Sequence, residues 1–270
     1  PNRRLLVDRI KQAVDAAPGR SRWSALLFLD LDNFKTVNDA HGHDTGDVML
    51  KQVAKRLTAC LRRGDTVARL GGDEFVVMLA ELHERRLIAT SETEAMGAAI
   101  LEQLNRPYQL GGQQHHSTCS IGVSLFDTAD ASLDEVIKQA DIAMYYAKTA
   151  GGNALRFFET SMQTSITARA ALENELHAAV EQRQFVLHYQ SQVTSEDRVV
   201  AAEVLVRWQH PTRGLLAPGE FIAAAEDTGL IIPLGLWVLE TACRQLAAWS
   251  EDPRRAHLQL SVNVLSLIHI

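Results

Sequence analysis

The 270-residue chain has no excess of positive charge, no long uninterrupted apolar run and only three cysteines. Its formal net charge of -6 argues against non-specific nucleic-acid binding, so an anionic ligand has to be held by local donors rather than by a general basic field. The longest apolar stretches, such as residues 230–239, are broken by Pro and Gly and fall short of the roughly 20 residues a bilayer crossing needs. No amino-terminal signal peptide is visible. Cys60, Cys119 and Cys243 are odd in number and outside any metal-ligand spacing, and they read as small core residues of a reducing, cytoplasmic compartment. What is present is an ordinary globular balance, 46% hydrophobic and 22% charged, at a length for one large domain or two smaller ones.

The chain opens on a helical pattern, with Leu5, Leu6, Ile10 and Val14 near one face, as though it begins inside a domain. Residues 23–31 read as a buried strand whose end, carrying Asp30 and Asp32, faces a site. An amphipathic helix follows, with Asp44 or Thr45 as its cap and Leu50, Val53, Leu57 and Leu61 recurring every three or four residues. Residues 67–70 and 75–79 flank a Gly-Gly turn as a hairpin, residues 95–104 read as helix, and residues 117–125 read as strand. Ser132 with Glu135 has the spacing of a capping box for a helix reaching Lys148, and residues 154–158 close the region as a short strand. Interleaving of this kind implies an α/β sandwich with a mostly antiparallel sheet. A linker helix over 160–181 then leads to strands at 185–190, 199–208 and 257–264, with helices at 218–225 and 234–249. Helical crossovers suggest parallel pairing as in a barrel, and residues 182–270 are far fewer than the ~250 of a complete (β/α)8 barrel.

Residues 69–79 set two carboxylates after a glycine pair and before a strand-forming run. Gly71 and Gly72 allow a tight turn and close approach of a ligand to the backbone. Asp73 and Glu74 on that turn suit a hard divalent cation shared with substrate phosphates, and the same four residues also suit a solvated hairpin. If the strand ending in Asp30 is a neighbour of the hairpin, the carboxylates converge, and a cation is their natural partner. Asp32 taken alone reads as the cap of a helix starting near Asn33. Lys35, Asn38, Asp39, His43 and Asp47 add donors and acceptors nearby, and an Asn with an Asp can pair with the edges of guanine.

Residues 1–159 resemble a GGDEF domain, the diguanylate cyclase family. The resemblance rests on residues 30–39 (DLDNFKTVND), residues 41–47 (HGHDTGD), the intact GGDEF at 71–75 and the segment from Ala140-Asp141 to Ala147-Lys148. It implies a nucleotide-cyclase-like α/β sandwich that condenses two GTP into cyclic di-GMP and pyrophosphate, each protomer of a head-to-head homodimer bringing one GTP. It also implies Mg²⁺ (or Mn²⁺) held by Asp30, Asp73 and the carbonyl of Leu31. Asn38 and Asp47 would then read guanine, His43 would contact the nucleotide, and Gly71 and Gly72 would admit it. Lys35 would stabilise phosphate charge, Lys148 would hold the phosphates, and Asp73 with Glu74 beside it would serve the chemistry. Arg62 and Asp65, spaced as RxxD ahead of Gly71, resemble the family's product-inhibition site; as bare residues they also fit a helix C-terminus with Gly64 at C′. One departure is plain. Where the family usually has Gly-Arg-Asn this chain has Gly151-Gly152-Asn153, and loss of a charge-assisted phosphate contact costs binding about 1.5–3 kcal/mol.

The second region resembles the start of an EAL domain, the cyclic di-GMP phosphodiesterase family. Its markers include Tyr189-Gln190, residues 203–208 (EVLVRW), His210-Pro211, Ala225-Glu226, residues 228–231 (TGLI) and Val262-Asn263. The resemblance assigns Glu203 and Asn263 to metal and Gln190 and Arg207 to substrate. Val204 replaces the family's Ala, Ser191 stands where Pro is usual, and residues 266–270 depart from the pattern. A single Glu and Asn do not close a divalent-metal site, so no hydrolysis is expected of this remnant. The sequence therefore reads as a Mg²⁺-dependent cyclase with product inhibition, in a second-messenger signalling protein for which upstream domains would supply any membrane anchor. The other reading is a GTP- or cyclic di-GMP-binding module that regulates an attached phosphodiesterase.

Overall fold

The computed structural model describes residues 22–127 and 132–263. The helical pattern at residues 5–14 and the departure at 266–270 lie outside them. The chain divides into two compact units, residues 1–164 and 165–270.

In the first unit the elements run β1 (Trp23–Leu31), α1 (Phe34–His41), α2 (His43–Cys60), β2 (Thr66–Gly71), β3 (Glu74–Leu79), α3 (Arg86–Leu104), β4 (Tyr108–Leu110), β5 (Gln113–His115), β6 (Cys119–Asp127), α4 (Leu133–Thr149), β7 (Leu155–Phe157) and then α5 (Thr160–Glu181), which extends into the second unit. Five strands form a sheet in the order β2-β3-β1-β6-β7, antiparallel except for the β6–β7 pair. The central strand β1 is apolar without alternation because both of its faces are covered. Leu27, Leu29 and Leu31 pack with Met49, Val53 and Leu57 of α2 and Ile100 and Leu104 of α3. Leu26 and Phe28 face the other way, against Val136, Ala140 and Met144 of α4. Helix α4 lies tight on the sheet because β6 presents small residues there: a Cβ on Gly122 would sit 2.0 Å from the Ala140 carbonyl oxygen and the Met144 nitrogen.

In the second unit β8 (Phe185–Val193) and β9 (Val199–His210) form an antiparallel hairpin, β10 (Gly214–Leu216) adds to β9, and β11 (Gln259–Val262) pairs with β9 in parallel. Between β10 and β11 come a 3-10 turn at Pro218–Glu220, α6 (Ile222–Asp227) and α7 (Ile231–Ser250). Its core joins Phe185, Trp208, Phe221, Leu234 and Val238 to Leu176 of α5. The expected crossover is the one between β9 and β11, and among the described residues the sheet does not close into a barrel.

Several local expectations need correction. Helix α2 begins at His43 after Gly42, with no side-chain cap; Thr45, one of the expected caps, instead donates its hydroxyl to the His41 carbonyl at 2.8 Å. Ser132 stands at the N-cap of α4 but makes no side-chain cap bond, so the Ser132–Glu135 capping box does not form. Cys119 is buried as expected, whereas Cys60 is half-buried and Cys243 exposed.

Candidate functional site

The site grows from the alternation of β1. Residues 26 and 28 face α4, so Asp30 and Asp32 continue that face, while Leu31 turns into the opposite core. Asp30 pairs in register with Glu74 on one side and with Ser120 on the other. The turn of the β2–β3 hairpin is thereby set beside the end of β1. Gly72 occupies that turn at φ 48°, and Arg69 Nε closes it on the Gly72 carbonyl at 2.9 Å. The last turn of α4 then brings Lys148 Nζ to 2.6 Å from Asp30 Oδ1. Asp30, Asp73, Glu74 and Lys148, more than a hundred residues apart at the extremes, therefore share one place.

The electrostatics follow from this crowding. Burial pushes the Asp30 carboxyl up from its ordinary value; the hydrogen bond and charge of Lys148 oppose that, and Asp73 and Asp32 add to it. Glu74 is also pushed up, first by burial and then by Asp141, Asp30 and Asp73. Burial pulls Lys148 down, but its bond to Asp30 and the other carboxylates outweigh this and raise it, so it stays charged. The edge is short of positive charge, which a hard cation with oxygen ligands would relieve. Among the described residues no three His, Cys, Asp or Glu side chains are gathered as a closed metal set. The charge of Asp73 reaches Asp30, so two carboxylates of the type such a cation takes meet on this edge.

Asp32 does not cap α1. That helix starts after Asn33, whose left-handed backbone (φ 59°) makes no side-chain cap bond. The Asp32 carboxylate, 8% exposed, instead accepts from Thr118 Oγ1 at 2.6 Å, Ser120 Oγ at 2.7 Å and the Asn153 backbone N–H at 3.0 Å. Beyond Lys148 the chain ends α4 with Gly151 N–H on the Lys148 carbonyl and Gly152 N–H on the Ala147 carbonyl, the paired bonds of a Schellman closure. Gly152 has φ +73°, and a Cβ there would lie 3.0 Å from Asp32 Oδ2. The residue in place of the family's Arg is thus fitted to its surroundings.

Of the other sequence candidates, Lys35 and Asn38 lie on α1, and His43 and Asp47 lie on α2. Asn38 is half-buried against Gly46, where a Cβ would come within 2.0 Å of Asn38 Oδ1; Lys35, His43 and Asp47 are exposed. Asp47 lines a cleft of about 300 Å³ with Leu50, Arg69 and Phe75. Helix α2 ends at Cys60, so Gly64 is not its C′ residue. Arg62 and Asp65 occupy the loop beyond, where Asp65 accepts from the Arg62 N–H at 3.0 Å and the Ala80 N–H at 3.3 Å. The Arg62 side chain is exposed and lines an open groove between α2 and α3.

In the second unit the β8–β9 register sets Gln190 opposite Glu203, and Asn263 Nδ2 donates to Glu203 Oε1 at 2.8 Å. Arg207 lies four residues further along β9 and donates to the Val206 carbonyl. Sequence reasoning left three contributors to the first site without a role. Asp141 precedes Lys148 by seven residues, two turns of α4, and its charge reaches Glu74. That spacing was a usable signal. Thr118 and Ser120 gave none, because their partner Asp32 lies 86 and 88 residues away.

An α/β sandwich that gathers carboxylates at the end of its central strand is a nucleotide-cyclase-like fold. The chain belongs to the GGDEF family: the family model "Diguanylate cyclase, GGDEF domain" matches residues 1–154, and an EAL domain model matches residues 173–268. Domains of these two families use divalent metal ions. The bifunctional diguanylate cyclase/cyclic di-GMP phosphodiesterase MucR of Pseudomonas aeruginosa is 42% identical over 268 residues, and the cyclic di-GMP phosphodiesterase PdeR of Escherichia coli (strain K12) is 38% identical over 264. Those matches cover 99% and 98% of this chain but 38% of each relative. The solved GGDEF domain of PA1120 from Pseudomonas aeruginosa superimposes with TM-score 0.57 at 32% identity, covering 62% of this chain and 95% of that one. DgcB from Caulobacter crescentus, solved in complex with c-di-GMP, gives 0.52 at 25% identity, covering 58% of this chain and 80% of that one. No helix among the described residues is long and apolar enough to cross a membrane.

Proposed function

We propose that residues 1–159 form a diguanylate cyclase domain, joined by the linker helix 160–181 to part of an EAL domain at 182–270. The supporting observation is the register that sets Asp30 opposite Glu74 at a glycine turn, with Lys148 2.6 Å from Asp30. Two GTP molecules, one on each protomer of a homodimer, would be joined with release of pyrophosphate. Asp30, Asp73 and the Leu31 carbonyl would hold Mg²⁺ or Mn²⁺, which when bound supplies Lewis-acid neutralisation of phosphate charge. Asn38 and Asp47 read guanine through amide and carboxylate, His43 contacts the nucleotide, and Gly71 and Gly72 let it approach the backbone. Lys35 and Lys148 balance phosphate charge, Lys148 by exchanging its carboxylate partner for a phosphate oxygen. Asp73 would assist removal of the 3′-hydroxyl proton, with Glu74, whose carboxyl is pushed up by burial and by Asp141, Asp30 and Asp73, beside it. Product would bind at Arg62, with Asp65 as its neighbour.

Incubation with GTP and Mg²⁺ at high protein concentration, followed by chromatography for cyclic di-GMP, tests the reading; GTP bound without product would defeat it. Gly152 favours a second reading, because a site with one fewer phosphate cation binds GTP without turning it over well. Such a domain would serve as a GTP- or cyclic di-GMP-responsive regulator of the attached phosphodiesterase. Activation of cyclic di-GMP hydrolysis by GTP in a longer chain would separate it from the first.

A further inference from the structure

We propose that Asp32 is a positioning residue, one that sets Lys148 against Asp30 by fastening the loop after α4 to the ends of β1 and β6. The proposal rests on the cyclase reading for its catalytic consequence, but its geometry stands apart from it. Asp32 follows the end of β1, two residues after Asp30. Its own N–H donates to the Thr118 carbonyl at 2.9 Å, so the backbone there is held to the start of β6. Its carboxylate then divides its work between two places: Oδ1 takes the Ser120 hydroxyl, while Oδ2 takes the Thr118 hydroxyl and the Asn153 N–H.

The Asn153 bond is the one that reaches the site. Asn153 stands just beyond the Schellman closure of α4, five residues after Lys148, and holds a left-handed backbone at φ 49°. Its side-chain Oδ1 accepts from Asn105 Nδ2 at 2.8 Å, at the end of α3. The loop is thus gripped from both sides, by Asp32 below and Asn105 beside it. Gly152 lies tight against this grip: its backbone is left-handed at φ +73°, and a Cβ there would sit 3.0 Å from Asp32 Oδ2 and 3.2 Å from its carboxyl carbon. Release of Asp32 would free the last turn of α4, and with it a Lys148 side chain that is 46% exposed and has room to leave Asp30.

The atom assignment supplies a discriminating variant. In Asp32→Asn the amide oxygen can keep both bonds now made by Oδ2, and the amide nitrogen can face Ser120, whose hydroxyl turns to accept. Geometry is kept and charge is lost. In Asp32→Ala all three bonds go.

Hydrogen exchange of the Gly151, Gly152 and Asn153 amides and GTP binding, measured by calorimetry with Mg²⁺, should be followed in the full chain for both variants and the parent. With Asp32→Ala we expect exchange at these amides to accelerate at least tenfold and GTP affinity to fall about tenfold. Asp32→Asn should restore both to within about threefold. Equal damage from Asn and Ala would overturn the proposal in favour of a role for charge, and unchanged exchange and affinity in Asp32→Ala would overturn it outright. To guard against misfolding, Asn105→Ala provides a second variant that loosens the same loop from its other side, and it should accelerate exchange at the same amides. The exchange result does not depend on turnover, so a chain that makes no cyclic di-GMP still decides whether Asp32 positions the loop, while the product assay alone decides the cyclase reading.

Discussion

Both units place a carboxylate on a central strand and give it a hydrogen-bonding partner from a distant segment, but the partners differ in kind. Asp30 is buried, meets a lysine, and stands among Asp73, Glu74 and Asp32. Glu203 is half-buried and meets the neutral amide of Asn263. A carboxylate bonded to a neutral amide carries its charge without a counter-charge from that partner. A desolvated group of carboxylates that already holds one cation is electrostatically unfinished, and it is the arrangement to which a second cation or an anionic ligand with its cation adds stability. The comparison teaches that the donor count around a carboxylate says less about chemistry than the sum of charge around it.

Substitution at the acidic edge should sharpen that contrast most. Asp73→Ala is expected to lower GTP turnover by about 10²–10³-fold, the size of effect seen when one preorganised electrostatic group is lost, and to leave the unfolding midpoint in place because the turn is partly exposed. Steady-state kinetics with thermal unfolding checks both halves, and full activity would remove Asp73 from the site. Next in size is Gly122→Ala. Its methyl group would be forced against the Ala140 carbonyl and the Met144 nitrogen, so a loss of about 1–3 kcal/mol is expected in urea unfolding, with turnover falling as α4 and Lys148 shift. Arg62→Ala should leave initial rates nearly unchanged and relieve inhibition by added cyclic di-GMP; persistence of inhibition would refute the RxxD assignment.

A pH experiment probes the acidic edge of the first unit. The Glu74 carboxyl is raised in the folded chain, by burial first and then by Asp141, Asp30 and Asp73, so the folded state holds its proton to higher pH than the unfolded chain does. Its favourable contribution is present below the ordinary carboxylate value of 4.5 and is lost as pH rises through the folded value. Glu74→Gln should therefore unfold at a higher temperature than the parent at neutral pH, and the gap should close as pH falls below that value. Asn263→Ala in the second unit is the smallest effect: an exposed amide bond to Glu203, worth about 0.5–1 kcal/mol at most, with no consequence for GTP turnover.

Much of the first unit is legible in sequence because its signals are local. The unbroken apolar run of β1, the Gly-Gly turn before Asp73 and the heptad-like spacing in α2 each name their element from neighbours alone. The β4–β5 hairpin carries a local signal too, Gly111 and Gly112 between its short strands, beyond the elements expected above. Asp32 reads as a cap because a helix cap is a local device, whereas its partners at Thr118, Ser120 and Asn153 arrive only when the sheet and α4 assemble. The caps expected of Asp44, Thr45 and Ser132 do not form: α2 starts after Gly42, where Thr45 bonds the His41 carbonyl instead, and Ser132 makes no cap bond at α4. In the second unit the strands are readable, whereas the bond between Glu203 and Asn263, which the resemblance names only as metal residues, is not, since sixty residues separate them.

The central claim is that the edge formed by Asp30, Asp73, Glu74 and Lys148 condenses GTP. Its most direct test is cyclic di-GMP formation by the purified chain with GTP and Mg²⁺, measured across protein concentration. Product that appears at a rate rising faster than linearly with protein, and that falls about 10²–10³-fold in Asp73→Ala, is the expected result. GTP binding of normal stoichiometry with no product at any concentration would contradict it.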